Sequence, residues 1–130
     1  MKKQLKSNTK HCVIETGFFR LARLVSLKSN YRVKLGCVIV QHGKPISIGF
    51  NRVKTHPISG EFTRTLHAEM DALISARAPL DGATVFVYRE RANGDLGLAK
   101  PCKNCYKKLV NSGVKKIYYS TTSGYGVIIC

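Results

Sequence analysis

The sequence predicts an α/β fold, a mixed β-sheet covered by helices. Two observations carry this expectation. Apolar residues recur at three- and four-residue spacing over residues 11–29 and again from Leu66 to Ile74, as helices with one buried face require. Between and after these segments lie short β-branched runs at residues 34–40, 45–50, 83–89 and 114–120, of ordinary strand length. The order is therefore α-β-β-α-β-α-β followed by a short tail, which suits a mixed sheet packed between helices.

Each element has its own justification. Residues 1–10 are polar and basic without apolar periodicity and read as a basic N-terminal arm. In residues 11–29, Val13, Ile14, Phe18, Leu21, Ala22, Val25 and Leu27 mark the buried stripe of the first helix. Residues 34–40 and 45–50 form a hairpin across Gln41-His42-Gly43-Lys44. Residues 51–65 contain Pro57, Ser59 and Gly60 with little periodicity and form a loop long enough to suggest function. Leu66, Met70, Leu73 and Ile74 mark the second helix, which ends before Pro79. After the strand at 83–89, the polar stretch 91–100, with Asn93-Gly94 and Gly97, has room for a small turn or hairpin. Pro101 suits the first position of a third helix, stopped by Gly113. Only ten residues follow Ser120, too few for the dozen or so of a parallel crossover, so a strand at 126–130 should return antiparallel.

Composition narrows the function. The 130 residues carry 22 Lys+Arg against 7 Asp+Glu, a formal net charge of +15, yet 44% are hydrophobic, which fits one globular domain over residues 1–130 rather than a disordered basic tail. No apolar run approaches the roughly 18–20 residues of a membrane span, so no membrane partner is expected. The basic start is followed by Glu15, Arg20 and Arg23 rather than a signal-peptide apolar stretch, and the expected location is cytoplasmic. Five cysteines, with one closely spaced pair, argue against a disulfide framework.

Two short segments stand out, Leu66-His67-Ala68-Glu69 and Lys100-Pro101-Cys102-Lys103-Asn104-Cys105. Singly each is weak: a lone histidine near a helix start is more often structural or capping, and a Cys-x-x-Cys is redox-active, metal-binding or simply buried. Together they are more specific. Cysteines three apart on one helical turn can converge, and a helix N-terminus favours thiolates. His67 supplies an imidazole nitrogen. Three such ligands leave one tetrahedral position for water, the arrangement of a single catalytic Zn2+. Glu69, two residues beyond His67, points elsewhere and is suited to proton transfer; read conservatively, it is only a favourable acid in the first helical turn.

With these residues the chain resembles the zinc-dependent cytidine/deoxycytidylate deaminase superfamily, whose signature is His-x-Glu followed by Pro-Cys-x-x-Cys. The resemblance covers roughly residues 10–125. It implies a three-layer α/β/α cytidine-deaminase-like fold with a five-stranded mixed sheet, and hydrolysis of a C–N bond of a cyclic amidine. It assigns His67, Cys102 and Cys105 as metal ligands and Glu69 as proton shuttle, with hydroxide attacking C4 of cytosine or C6 of adenine and ammonia leaving. Asn51 looks like the family's substrate-binding asparagine, its simpler reading being a turn residue. The backbone around Ala68 and Cys102 is expected to help bind substrate. Among the aromatics nearest the motifs, Phe50, Tyr88 and Tyr106, Tyr88 is assigned to substrate binding by stacking. Many relatives assemble through their helices, which makes a homo-oligomer plausible.

The departures bear on the substrate. His67 stands where free-cytidine deaminases usually carry Cys, favouring the deoxycytidylate, tRNA-adenosine or polynucleotide branches. An antiparallel last strand instead resembles the free-nucleoside and toxin-type branches. Residues 1–34 hold nine Lys/Arg against one acid, and residues 89–116 eight against two. This excess suits an anionic partner, and a single-stranded nucleic acid slightly better than a cytosine nucleotide. The expected function is cytosine-to-uracil deamination in one of these. The alternatives are a deoxycytidylate deaminase of nucleotide metabolism, a tRNA-type adenosine deaminase, and a non-enzymatic nucleic-acid-binding relative.

Overall fold

The computed structural model describes residues 17–53 and 65–130. In chain order the elements are α1 (Gly17–Ser26), β1 (Lys34–Gln41), β2 (Lys44–Phe50), β3 (Arg52–Val53), β4 (Thr65–Leu66), α2 (Ala68–Ala76), β5 (Thr84–Glu90), β6 (Leu96–Gly97), α3 (Lys103–Asn111), β7 (Lys116–Thr121) and β8 (Gly124–Ile129). The main sheet runs β2-β1-β5-β7-β8, with β6 paired to β5. Among the described strands only the β5–β7 pair is parallel; β8 returns antiparallel to β7 across a tight turn that pairs Thr121 with Gly124, as expected. The sheet has six strands rather than five because the connection after β5 folds back as a two-residue strand, Leu96 against Glu90 and Gly97 against Arg89.

The twofold alternation of strand side chains separates two cores. Cys37 and Ile39 of β1, Val85 and Val87 of β5 and Ile117 of β7 share one face with Ala68 and Ala72 of α2 and Leu109 of α3. Val38, Val40, Phe86 and Tyr88 point the other way and meet Phe19, Ala22 and Val25 of α1. This is the expected three-layer arrangement. Two glycines bring helices against strands. A Cβ at Gly36 would overlap Ala22 O and Ser26 N of α1, and one at Gly49 would overlap Ala68 O and Ala72 N of α2. Gly49 thus lets α2 seat directly on β2, which sets the depth of the residues at its N-terminus.

Several boundaries differ from expectation for local reasons. The described part of the first helix ends at Ser26, leaving Leu27 outside it and exposed; residues 11–16, like the arm at 1–10, lie outside the described residues. The β1–β2 turn is two residues, His42 and Gly43, both at positive φ, the geometry that matches strand twist. Pro45 is tolerated because β2 is an edge strand. Leu66 belongs to β4 and not to the second helix, because Thr65 and Leu66 pair with Val53 and Arg52 at the two ends of the long loop. Residues 54–64 of that loop lie outside the described residues. The third helix begins at Lys103, not Pro101, because Cys102 is its N-cap.

Among the described residues no helix is long and apolar enough to cross a membrane.

Candidate active site

Two helix N-termini meet above the sheet. His67 is the N-cap residue of α2, with extended backbone (φ −69°, ψ 152°), but its side chain makes no capping bond. The imidazole is instead turned toward the other helix. There Cys102 caps α3, its Sγ accepting the Cys105 N–H at 3.4 Å. Placed at the N-cap and one turn inside the helix, the two cysteines bring both sulfurs to the same end.

The three donors converge. His67 Nδ1 lies 3.3 Å from Cys105 Sγ and 3.7 Å from Cys102 Sγ, and one ligand atom from each residue lies within 4.8 Å of the others. A tetrahedral zinc with Zn–S of about 2.3 Å and Zn–N of about 2.0–2.1 Å separates such donors by roughly 3.6–3.8 Å. The observed spacing therefore fits this ion with little adjustment. Charge points the same way. Burial, followed by the nearby Glu69 and Cys102, pushes the Cys105 thiol well up; a divalent cation among the donors reverses that penalty. His67, Cys102 and Cys105 are positioned to bind one metal ion.

Glu69 sits beside this triad and is 4% exposed. Burial raises its carboxyl above the ordinary range, partly offset by its own backbone N–H and by His67. It lines a cavity of about 260 Å³ together with His67, Cys102 and Ala68. Asn51 lines it too, 4% exposed, with its amide already engaged: Oδ1 accepts the Leu35 N–H and Nδ2 donates to Val33 O, both at 2.9 Å. Asn51 therefore ties the start of β1 to the end of β2.

Tyr88 is not at the cavity. It is 1% exposed on the opposite, α1-facing side of the sheet, donating to Glu90 Oε1 at 3.2 Å. Tyr88 is near the motifs in sequence, but alternation along β5 turns Val87, not Tyr88, toward the α2 side. Phe50 packs at the margin of the α1-side core, with the Arg52 guanidinium 4.9 Å above its ring. Tyr106 packs against the α2-side core.

Three cavity residues receive no role from the sequence: Tyr31, Leu35 and Lys100. Lys100 carried the available signal, directly preceding the Pro-Cys motif. Tyr31 and Leu35 carry none, since the fold alone brings the entry to β1 beside α2. Asp71 is also structurally central. Its buried carboxylate accepts the Phe50 N–H at 3.1 Å and pairs with Arg52, holding the chain on both sides of Asn51.

Residues 14–121 match the family model for the cytidine and deoxycytidylate deaminase zinc-binding region. The chain belongs to that family and is a zinc-dependent deaminase of the cytidine/deoxycytidylate type. An uncharacterized deaminase in the luxG 3′ region of Aliivibrio fischeri is 31% identical, with 78% of this chain and 68% of that protein covered. A probable deoxycytidylate deaminase of Caenorhabditis elegans is 32% identical, with 78% of this chain and 54% of that protein covered, so the chain spans about half the length of that relative. The crystal structure of dCMP deaminase from the cyanophage S-TIM5 in complex with dCMP and dUMP superimposes with a TM-score of 0.59 at 26% identity, covering 93% of this chain and 84% of that one.

Proposed function

We propose that this chain hydrolyses the amino group of cytosine in a nucleotide, giving the uracil nucleotide and ammonia. The observation that carries the reading is that His67, Cys102 and Glu69 line one compact cavity, with the buried Cys105 completing the donor cluster beside it. A cavity of about 260 Å³ receives one base at a time. The phage dCMP deaminase with dCMP and dUMP bound supports the same substrate class.

Each residue has a task in this reaction. Bound zinc supplies the Lewis acidity that brings a water's pKa down toward neutrality. Glu69 takes a proton from water as the water oxygen bonds to C4, holds it, and delivers it to N3 of the ring. A further proton passes through the same carboxyl to the departing amine, the C4–N bond breaks and ammonia leaves. Burial suits Glu69 to this work, because a carboxyl whose proton affinity is raised accepts protons more readily at neutral pH. Asn51 fixes the wall at Val33–Leu35 and offers its remaining amide proton and lone pair to the base or sugar. The Ala68 backbone, at the first turn of α2, forms the adjoining wall.

A second reading is favoured by the net charge of +15: the cytosine belongs to single-stranded nucleic acid, whose backbone such a surface attracts. One panel separates the two. Zinc-loaded protein is incubated with dCMP, cytidine, adenosine, single-stranded DNA and single-stranded RNA, and products are read by mass. Conversion of dCMP to dUMP is the expected result. Conversion of polymer alone would replace the first reading with the second, and turnover of none would overturn both.

A further inference from the structure

We propose that Lys100 is the specificity-determining residue of this cavity, selecting substrates that carry a phosphate by placing its ammonium against the phosphate oxygens. The inference rests on the deaminase reading above and names the group that distinguishes its substrate from a free nucleoside. Among the described residues, Lys100 is the only Lys or Arg lining the cavity. Its side chain is exposed, and no carboxylate pairs with it among the described residues. Two nearby arginines are engaged elsewhere: Arg52 with Asp71 and Arg89 with the Leu98 carbonyl.

The backbone beneath Lys100 is anchored on both sides, which makes its placement a property of the fold. Upstream, Ala99 N–H donates to Ser120 O at 2.9 Å, and Ser120 Oγ donates to Gly97 O at 2.8 Å. The Arg89 side chain lies over Gly97, where a Cβ would come within 3.0 Å of it. Downstream, Pro101 restricts Lys100 to extended backbone, and Cys102 is fixed as the cap of α3. Lys100 is thus delivered to the cavity mouth two residues before a metal-binding cysteine.

A nucleoside offers the ammonium only neutral acceptors, whereas a phosphate offers a charge-assisted hydrogen bond, equivalent to roughly 10- to 100-fold in affinity. The phosphate can be that of a mononucleotide or of a strand, and the test separates them.

Zinc-loaded full chain and its Lys100→Met and Lys100→Arg variants, matched for metal content, are assayed with dCMP, deoxycytidine and a short cytosine-containing oligodeoxynucleotide. Binding of dUMP and deoxyuridine is measured by calorimetry, which needs no turnover. In Lys100→Met the ratio of kcat/KM for dCMP over deoxycytidine should fall about 10- to 100-fold, mainly through KM, with the dUMP-over-deoxyuridine binding preference falling alike and Lys100→Arg recovering most of both. The same loss confined to the oligonucleotide also supports the proposal and identifies a strand phosphate. Equal losses on dCMP and deoxycytidine, or an unchanged ratio with every phosphorylated substrate, overturn it. Absence of turnover in the unaltered protein would defeat the deaminase reading, while the binding preference would still decide the role of Lys100.

Discussion

His67 Nδ1 stands 3.3 Å from Cys105 Sγ, across the junction of two helix N-termini 38 residues apart in sequence. A metal ion shared by the sulfur and the ring nitrogen would bind the two helix ends more strongly than a hydrogen bond between them. Cys102→Ala and Cys105→Ala should therefore both lower bound zinc, but with different effects on the metal-free protein. Cys102 is exposed, whereas Cys105 is fully buried against Leu66 and Met70. Cys105→Ala should cost the metal-free protein about 1–2 kcal/mol in lost packing, and Cys102→Ala under about 0.5 kcal/mol. Metal analysis with denaturant unfolding under chelator checks this. Chelation of the unaltered protein should lower Tm by linkage; a Tm indifferent to zinc would remove the triad as a metal site.

Glu69→Gln keeps the shape of the buried side chain and removes its capacity to carry a proton. The expected outcome is retained zinc with kcat lower by about 10²–10⁴. Steady-state rates alongside metal content check it, and activity within severalfold of the unaltered protein would rule out the proton-transfer role.

The Asp71 carboxylate bridges the Phe50 N–H and the Arg52 guanidinium, and Asn51 lies between those two residues. In Asp71→Asn an amide N–H would face the guanidinium, or the oxygen would desert one donor. Because Arg52 is 37% exposed, screening moderates the loss, and about 1–3 kcal/mol of stability is expected to go. KM should rise more than kcat falls, since the displaced group lines the cavity rather than performing the chemistry. A double-mutant cycle with Arg52→Met, read by denaturant unfolding, should give coupling above about 0.5 kcal/mol.

The layer architecture was legible because strand and helix periodicities differ: the runs at 34–40 and 83–89 alternate apolar residues onto two faces, and each face meets a helix. The metal donors were legible because residue type and spacing both belong to the chemistry. What escaped depended on direction rather than identity. Tyr88 and Val87 are neighbours in sequence but face opposite sides of the sheet, and nothing in residues 83–89 says which side holds the cavity. Tyr31 and Leu35 enter the cavity because β1 lies between β2 and β5, a topological fact with no local signature. The two-residue strand β6 is likewise set by Ser120, whose hydroxyl holds Gly97 O from the far side of the sequence.

Tyr88 supplies a pH-dependent test of the α1 layer. Burial, then the charge and hydrogen bond of Glu90, pushes its phenol up to about 12, with Arg23 pulling partly back. The folded protein therefore keeps this proton where the unfolded chain, with an ordinary tyrosine pKa of about 10, releases it. The unfolded state binds fewer protons over that interval, so unfolding free energy should fall as pH rises from about 10 toward 12, the contribution being fully present below 10. Tyr88→Phe removes the ionisable group and the bond to Glu90, costing about 1 kcal/mol near neutral pH. Denaturant unfolding of both proteins at several pH values should show the gap between them narrowing above pH 10. A constant gap would place the Tyr88 hydroxyl in water rather than between the sheet and α1.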